Sequence, residues 1–303
     1  MREKLTELSY LAAWRVVRLM PERVAVGLGR SFADRAWRKN GRGVQQLRRN
    51  LSRVVEGEVD EELVRDALRS YARYWMESFR LPSMSAEDLD RDFEMNGYEP
   101  VHQRHRAGQG SIIALPHCGN WDYAGAWAAQ NAGDRLTTVA ERLKPEGVYR
   151  RFLEYRESLG MTIIPTSGAD RNPQALLSDA LQNGDVVALV ADRDLSKNGV
   201  DVKFFGEAAR FPSGPALLAI RNDVPLYTAA IHYEDDRAVC HITGPIDTGT
   251  GRLRERIAST TQAMADAFEK GIAEHPADWH MLQRFWPADF APAAPDSGDA
   301  AES

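Results

Sequence analysis

A chain of 303 residues that is 43% hydrophobic and 27% charged has the material for one large core or two small ones, which excludes a disordered or fibrous protein. Two cysteines, Cys118 and Cys240, with no CxxC pair and no His/Cys cluster at ligand spacing, exclude a disulfide framework and point to a reducing, cytoplasmic setting without a metal. The net charge of −6 is unevenly spread: residues 1–50 hold twelve Lys/Arg against four acids, a surplus of +8, and the remainder stands at −14. A basic surplus confined to the front end argues against nucleic acid as a partner.

In chain order, Leu5, Leu8, Leu11, Ala12, Val16 and Leu19 recur at helical spacing, with Arg15 and Arg18 off the stripe and Tyr10 and Trp14 beside it. An interfacial helix has this pattern, its basic side chains drawn to an anionic membrane surface and its apolar stripe inserting a short way. An amphipathic helix packed on the core with its arginines in water fits the same residues. The two arginines interrupt the apolar run that a signal peptide needs, and no other segment approaches the roughly 18 apolar residues of a membrane span. Helical stretches follow in "QQLRRNLSRVV" and, after "VDEE", in "LVRDALRSYARYWMESFRL", which stops at Pro82 and offers Leu63, Ala67, Ser70, Tyr74 and Phe79 as its buried side.

From residue 108 the pattern changes. The short runs "SIIAL", "LTTVA", "MTIIP", "DVVALVA" and "VPLYTAAI" alternate with the helical stretches "YAGAWAAQNA", "EGVYRRFLEYRESLG" and "PQALLSDALQNG". Such alternation predicts an α/β fold with a largely parallel sheet flanked by helices. "RAVCHIT" reads as an added edge strand and "RLRERIASTTQAMADAFEKGIAEH" as a last long helix before Pro276. The expected organisation is one domain over 1–290, a basic helical part at 1–92 on or near a membrane surface and an α/β core at 93–290, with a flexible tail at 291–303.

Chemistry is expected where "SIIALPHCGNWD" leaves its strand. His117 and Asp122 both fall at the carboxyl end of that strand, where α/β proteins bind ligands. Five residues turn a helix by about 500°, so the two side chains meet only if His117 precedes the helix and Gly119 and Asn120 reverse the chain. Asp122 would then fix the imidazole tautomer and leave the other ring nitrogen as a base able to deprotonate a hydroxyl. A His and an Asp that merely help to cap a helix remain the alternative.

"HCGNWD" resembles the HxxxxD/E box of bacterial glycerolipid and lipid A acyltransferases. Three later blocks, "TVAERLKPEGVYRRFLEYRESLG", "VALVADRDLSKNGVDVKFFGEAARFPSGPALLA" and "WHMLQRFWP", resemble in the same order those of the lipid A acyltransferase-like branch of the lysophospholipid acyltransferase superfamily. Within that branch the likeness, over residues 8 to 287, is greatest to the actinobacterial acyltransferases of phosphatidylinositol mannosides. The resemblance implies transfer of a long acyl chain, typically palmitoyl, from acyl-CoA to a mannose hydroxyl of a phosphatidylinositol mannoside. It needs no cofactor beyond that co-substrate, no metal and no acyl-enzyme, and the protein would sit as a peripheral, monotopic enzyme on the cytoplasmic face of the plasma membrane. By the same matching His117 is the base and Asp122 its partner, while Asp192 stands where relatives commonly carry a Glu beside the catalytic His. Glu141, Arg156 and His280 fall among residues gathered around the acceptor sugar. Arg193 joins them as a substrate-binding cation, or else pairs with Asp192. Cys118 is expected to be a packed thiol rather than a nucleophile, and a deep apolar pocket in the sheet core is expected to hold the tail. The alternatives are a lysophospholipid or lipid A-like acceptor, or a non-catalytic lipid-binding protein.

Overall fold

The computed structural model describes residues 16–142, 146–168, 171–194, 199–234 and 237–290. The proposed interfacial helix over residues 5–19 lies outside them except for residues 16–19, which are helical, and so does the tail at 291–303. Three helices open the described chain: α1 (Glu22–Lys39), α2 (Arg42–Val54) and α3 (Glu61–Arg80). They close a small core of their own around Leu47, Leu51, Val64 and Leu68. α3 starts where the Asp60 side chain accepts the Glu62 N–H, with Glu61 and Glu62 in its positive first turn. Its buried side is Val64, Ala67, Leu68, Ser70, Tyr74 and Ser78; the expected Leu63 and Phe79 are only half-buried.

The sheet has seven strands: β1 (Phe93–Asn96), β2 (Ser111–Leu115), β3 (Leu136–Ala140), β4 (Met161–Pro165), β5 (Val186–Val190), β8 (Leu226–Glu234) and β9 (Arg237–Thr243). Their spatial order is β1-β9-β8-β2-β5-β3-β4, and every pairing is parallel except β8 with β9. β9 therefore is not the edge: the short β1, unforeseen in the sequence, covers it. A separate antiparallel hairpin, β6 (Val200–Phe204) and β7 (Glu207–Phe211), was also unforeseen.

Helices lie on both faces. α4 (Ala86–Asp92), α5 (Glu99–Arg106), α6 (Trp121–Gln130) and α7 (Glu146–Ser158) are on one side, and α8 (Pro173–Gln182), α9 (Gly214–Asn222) and α10 (Leu253–Glu274) are on the other. The central strands are buried twice over. Ile112, Ala114, Val187 and Leu189 face the α8–α10 core, and Ile113, Leu115 and Val186 face the α4–α7 core. Because side chains alternate faces every residue, a strand covered on both sides is apolar on both, hence the unbroken run Ile112, Ile113, Ala114 and Leu115 after Ser111. Among the described residues no helix is long and apolar enough to cross a membrane.

Candidate active site

Strand register builds the site. β2 and β5 are parallel neighbours with Leu115 opposite Val190, so the residues two places on, His117 and Asp192, emerge side by side beyond the strand ends. The Asp192 carboxylate is fully buried and holds His117 twice: Oδ1 lies 2.5 Å from the imidazole Nδ1, and Oδ2 accepts the His117 backbone N–H at 2.9 Å. A third donor, the Trp279 indole N–H, reaches Oδ2 at 3.0 Å. Burial alone would raise the pKa of Asp192, but the His117 charge and these hydrogen bonds outweigh it and hold the carboxyl below its ordinary range. The carboxylate accepts a hydrogen bond from Nδ1–H, which keeps its proton, and Nε2 is left as the basic nitrogen of a ring about one-third exposed.

The expected contact between His117 and Asp122 is not made. α6 begins at Trp121, capped by the Asn120 side chain, which accepts the Tyr123 N–H at 3.0 Å. Its first turn sends Trp121 edge-on to the His117 ring, centroids 5.4 Å apart, and aims Asp122 away toward α3 and α7. There Asp122 Oδ1 accepts from Arg156 Nε at 2.8 Å and Oδ2 from the Tyr74 hydroxyl at 3.2 Å. Burial would lower the pKa of Arg156, but the Asp122 charge prevails and raises it, so the guanidinium stays charged. Spacing placed the box correctly at the strand end, but the direction of the fifth residue is set by packing of α3 and α7.

The turn between His117 and α6 requires Gly119. Its φ is +54°, and a Cβ there would come within 2.6 Å of Ile231 Cγ2 and 2.9 Å of the Ile231 carbonyl. The chain after α10 clasps the same turn: the Gly119 N–H donates to the Asp278 carbonyl at 3.0 Å, and the His280 N–H to the His117 carbonyl at 2.8 Å. His280 is buried against Tyr71 and Tyr74. Ser70 Oγ donates to Asp278 Oδ1 at 2.5 Å, so it accepts from His280 Nε2 at 2.9 Å, and His280 Nδ1 is left as a buried acceptor with no hydrogen-bond partner among the described residues. Burial, with a smaller contribution from the His117 charge, pushes the His280 pKa down to about 3, so this ring is neutral. Cys118 is buried, and burial together with the Asp192 and Asp278 charges raises its pKa far above the ordinary thiol value, so it is no thiolate nucleophile.

The remaining sequence-derived candidates are less closely placed. Glu141 is exposed just past β3, and Arg193 is half-buried beside Asp192; neither has a hydrogen bond or ion pair among the described residues, so Arg193 does not pair with Asp192 there. Trp121 and Trp279 touch the pair, and Tyr74 and Ser70 stand one step further out, against Trp121 and His280. Of these, Trp279 adjoins His280 in the block "WHMLQRFWP", and Tyr74 had registered only as a core position.

Beneath α6 an apolar cavity crosses the sheet face, floored by Ile113, Leu115, Ala188 and Val190 and roofed by Ala124 and Gly125. Trp121, Asp122 and Arg156 join its wall where the strands end. Its volume of about 60 Å³ is too small for a long acyl tail, and the flexible Met95 and Met161 in its lining are the side chains best able to enlarge it. A polar cleft of about 440 Å³ lies between α1 and α3, lined by Arg30, Arg73, Glu77 and Tyr233 and floored by Ser70 and Asp278.

An imidazole paired with a buried carboxylate at strand ends can take a proton from an alcohol, and the apolar slot walled by Trp121 suits a hydrophobic chain. The chain belongs to the bacterial lipid A biosynthesis acyltransferase family, whose model matches residues 2–287. It is 46% identical over 291 residues to the phosphatidylinositol mannoside acyltransferase of Mycolicibacterium smegmatis, covering 95% of this chain and 93% of that protein. The protein of the same name from Mycobacterium tuberculosis is 43% identical over 291 residues, covering 94% and 90%.

Proposed function

We propose that this acyltransferase moves a long acyl chain, palmitoyl-like, from acyl-CoA to a mannose hydroxyl of a phosphatidylinositol mannoside at the cytoplasmic face of the plasma membrane. The observation that carries the reading is the pinned His117–Asp192 pair, with Trp121 edge-on to the imidazole and itself part of the wall of the apolar slot. His117 Nε2 takes the proton of the attacking hydroxyl as its oxygen adds to the thioester carbonyl, and Asp192 offsets the positive charge that develops on the ring. When the tetrahedral intermediate collapses, the carbon–sulfur bond breaks and the imidazolium returns the proton to the departing thiolate. The thioester is already activated, so both substrates react within one ternary complex without an acyl-enzyme.

Asp122 is assigned to the acceptor side, where it holds Arg156 and Tyr74 in place. Arg156, Glu141 and His280 would bind sugar hydroxyls through directional hydrogen bonds, and the free lone pair of His280 Nδ1 suits a hydroxyl donor. Arg193 and the basic front end would attract the phosphates of coenzyme A or of the inositol head group. The acceptor follows the names of the mycobacterial relatives, which cover nearly the whole chain.

Radiolabelled palmitoyl-CoA offered with a phosphatidylinositol mannoside, a lysophospholipid or a lipid A-like disaccharide tests this reading. Label is expected in the mannoside alone. Label in either other acceptor would replace the substrate, and vesicle binding without thioester turnover would make the chain a lipid-binding protein.

A further inference from the structure

The Asp192 carboxylate accepts three hydrogen bonds, two of them from His117 itself. The His117 backbone N–H is fixed by the strand end and the clasp at its carbonyl, whereas the imidazole turns about its own side-chain bonds and cannot by itself set the plane of the carboxylate. Among the described residues only the indole N–H of Trp279 reaches it from elsewhere. Trp279 is fully buried, its ring packed near Phe285 and Trp286 at centroid distances of 5.4 and 5.9 Å. Its backbone pairs with Cys118 in an antiparallel bridge, so the indole is carried by the segment that clasps the His117 turn. An indole has one donor and no acceptor, and a fully buried one is positioned by what it donates to.

We propose that Trp279 is a positioning residue for the reaction: its N–H locks the plane of the Asp192 carboxylate so that Oδ1 meets His117 Nδ1 and the ring presents Nε2 to the substrate. Trp279 touches no substrate in this account and acts only through Asp192. The proposal rests on the acyl-transfer reading above for its effect on turnover, but not for its effect on the pair.

The test replaces Trp279 with benzothienylalanine, which keeps the bicyclic shape and exchanges the N–H for sulfur, beside Trp279→Phe, which also loses volume. Two quantities are read: the low-field proton resonance of His117 Nδ1–H, and the steady-state constants with palmitoyl-CoA. The isosteric variant is expected to melt near the wild-type temperature, to show that resonance shifted or broadened by exchange with water, and to lose about tenfold in kcat with KM for the donor unchanged. Trp279→Phe is expected to show the same kcat loss together with a lower Tm. An unmoved resonance in the isosteric variant would overturn the proposal, and so would a shifted resonance with kcat within twofold of wild type. If wild-type protein transfers no acyl group to any acceptor, the acyl-transfer reading fails, while the resonance still decides whether the indole holds the pair.

Discussion

Replacing Arg156 with Leu should cost far more stability than a surface ion pair would suggest. Asp122 has 2% of its side chain exposed and Arg156 17%, and the two touch at 2.8 Å. Two unit charges about 4 Å apart at an effective dielectric constant near 20 attract by about 4 kcal/mol. Removing the guanidinium leaves Asp122 with the Tyr74 hydroxyl as its remaining described donor, a buried charge without compensation, and the expected loss is about 3–5 kcal/mol. Combining Arg156→Leu with Asp122→Asn removes the stranded charge and should recover most of that, ending about 1–2 kcal/mol below wild type for the lost hydrogen bonds and packing. Urea unfolding of the four proteins, followed by tryptophan fluorescence, measures both quantities. If Arg156→Leu costs less than about 1 kcal/mol, or if the double variant is no more stable than the single one, Asp122 is not anchored by Arg156.

His280 makes stability depend on pH in a definite direction. Its folded pKa of about 3 lies below the ordinary 6.5, so above pH 6.5 neither state binds the proton and nothing changes, whereas below it the unfolded chain gains a proton that the folded one refuses. The folded state should therefore lose about 2 kcal/mol between pH 7.5 and 5, and His280→Gln should flatten this slope; an equal slope in the variant would locate the effect elsewhere. Gly119→Ala combines a left-handed backbone with a Cβ pressed on the Ile231 carbonyl, so a loss of more than about 2 kcal/mol and of turnover is expected in thermal unfolding and transfer assays. In Gly125→Ala the new Cβ would stand 2.5 Å from the mobile end of Met161, pushing that side chain into the slot. A donor series from octanoyl to palmitoyl should then shift toward shorter chains, and an unchanged preference would show that the tail does not pass Gly125.

The parallel core was legible because its strands are buried on both faces and its helices are capped by residues visible in the sequence, such as Asn120 and Asn172. β1 was not legible, since "FEMN" is four residues long and only half-buried. The β6–β7 hairpin turns at Phe205 and Gly206, both at positive φ, and a Phe in the first place lacks the Asn or Asp that normally marks such a turn. The site divides in the same way. His117 could be placed at a strand end from local pattern, and Asp192 was found only through resemblance, because what joins the two is the register of strands 75 residues apart. Asp122 looked the nearer partner by spacing, but Trp121 takes the place beside the imidazole and Arg156 claims the carboxylate.

The central claim is that His117, held by Asp192, is the base that activates the acceptor. Single-turnover transfer of labelled palmitoyl by His117→Asn, at a pH where the wild type is fully active, addresses it most directly. Loss of a general base predicts a rate lower by about 10²–10⁴-fold with native folding and vesicle binding retained. Transfer within a few-fold of wild type by a folded His117→Asn protein would contradict it.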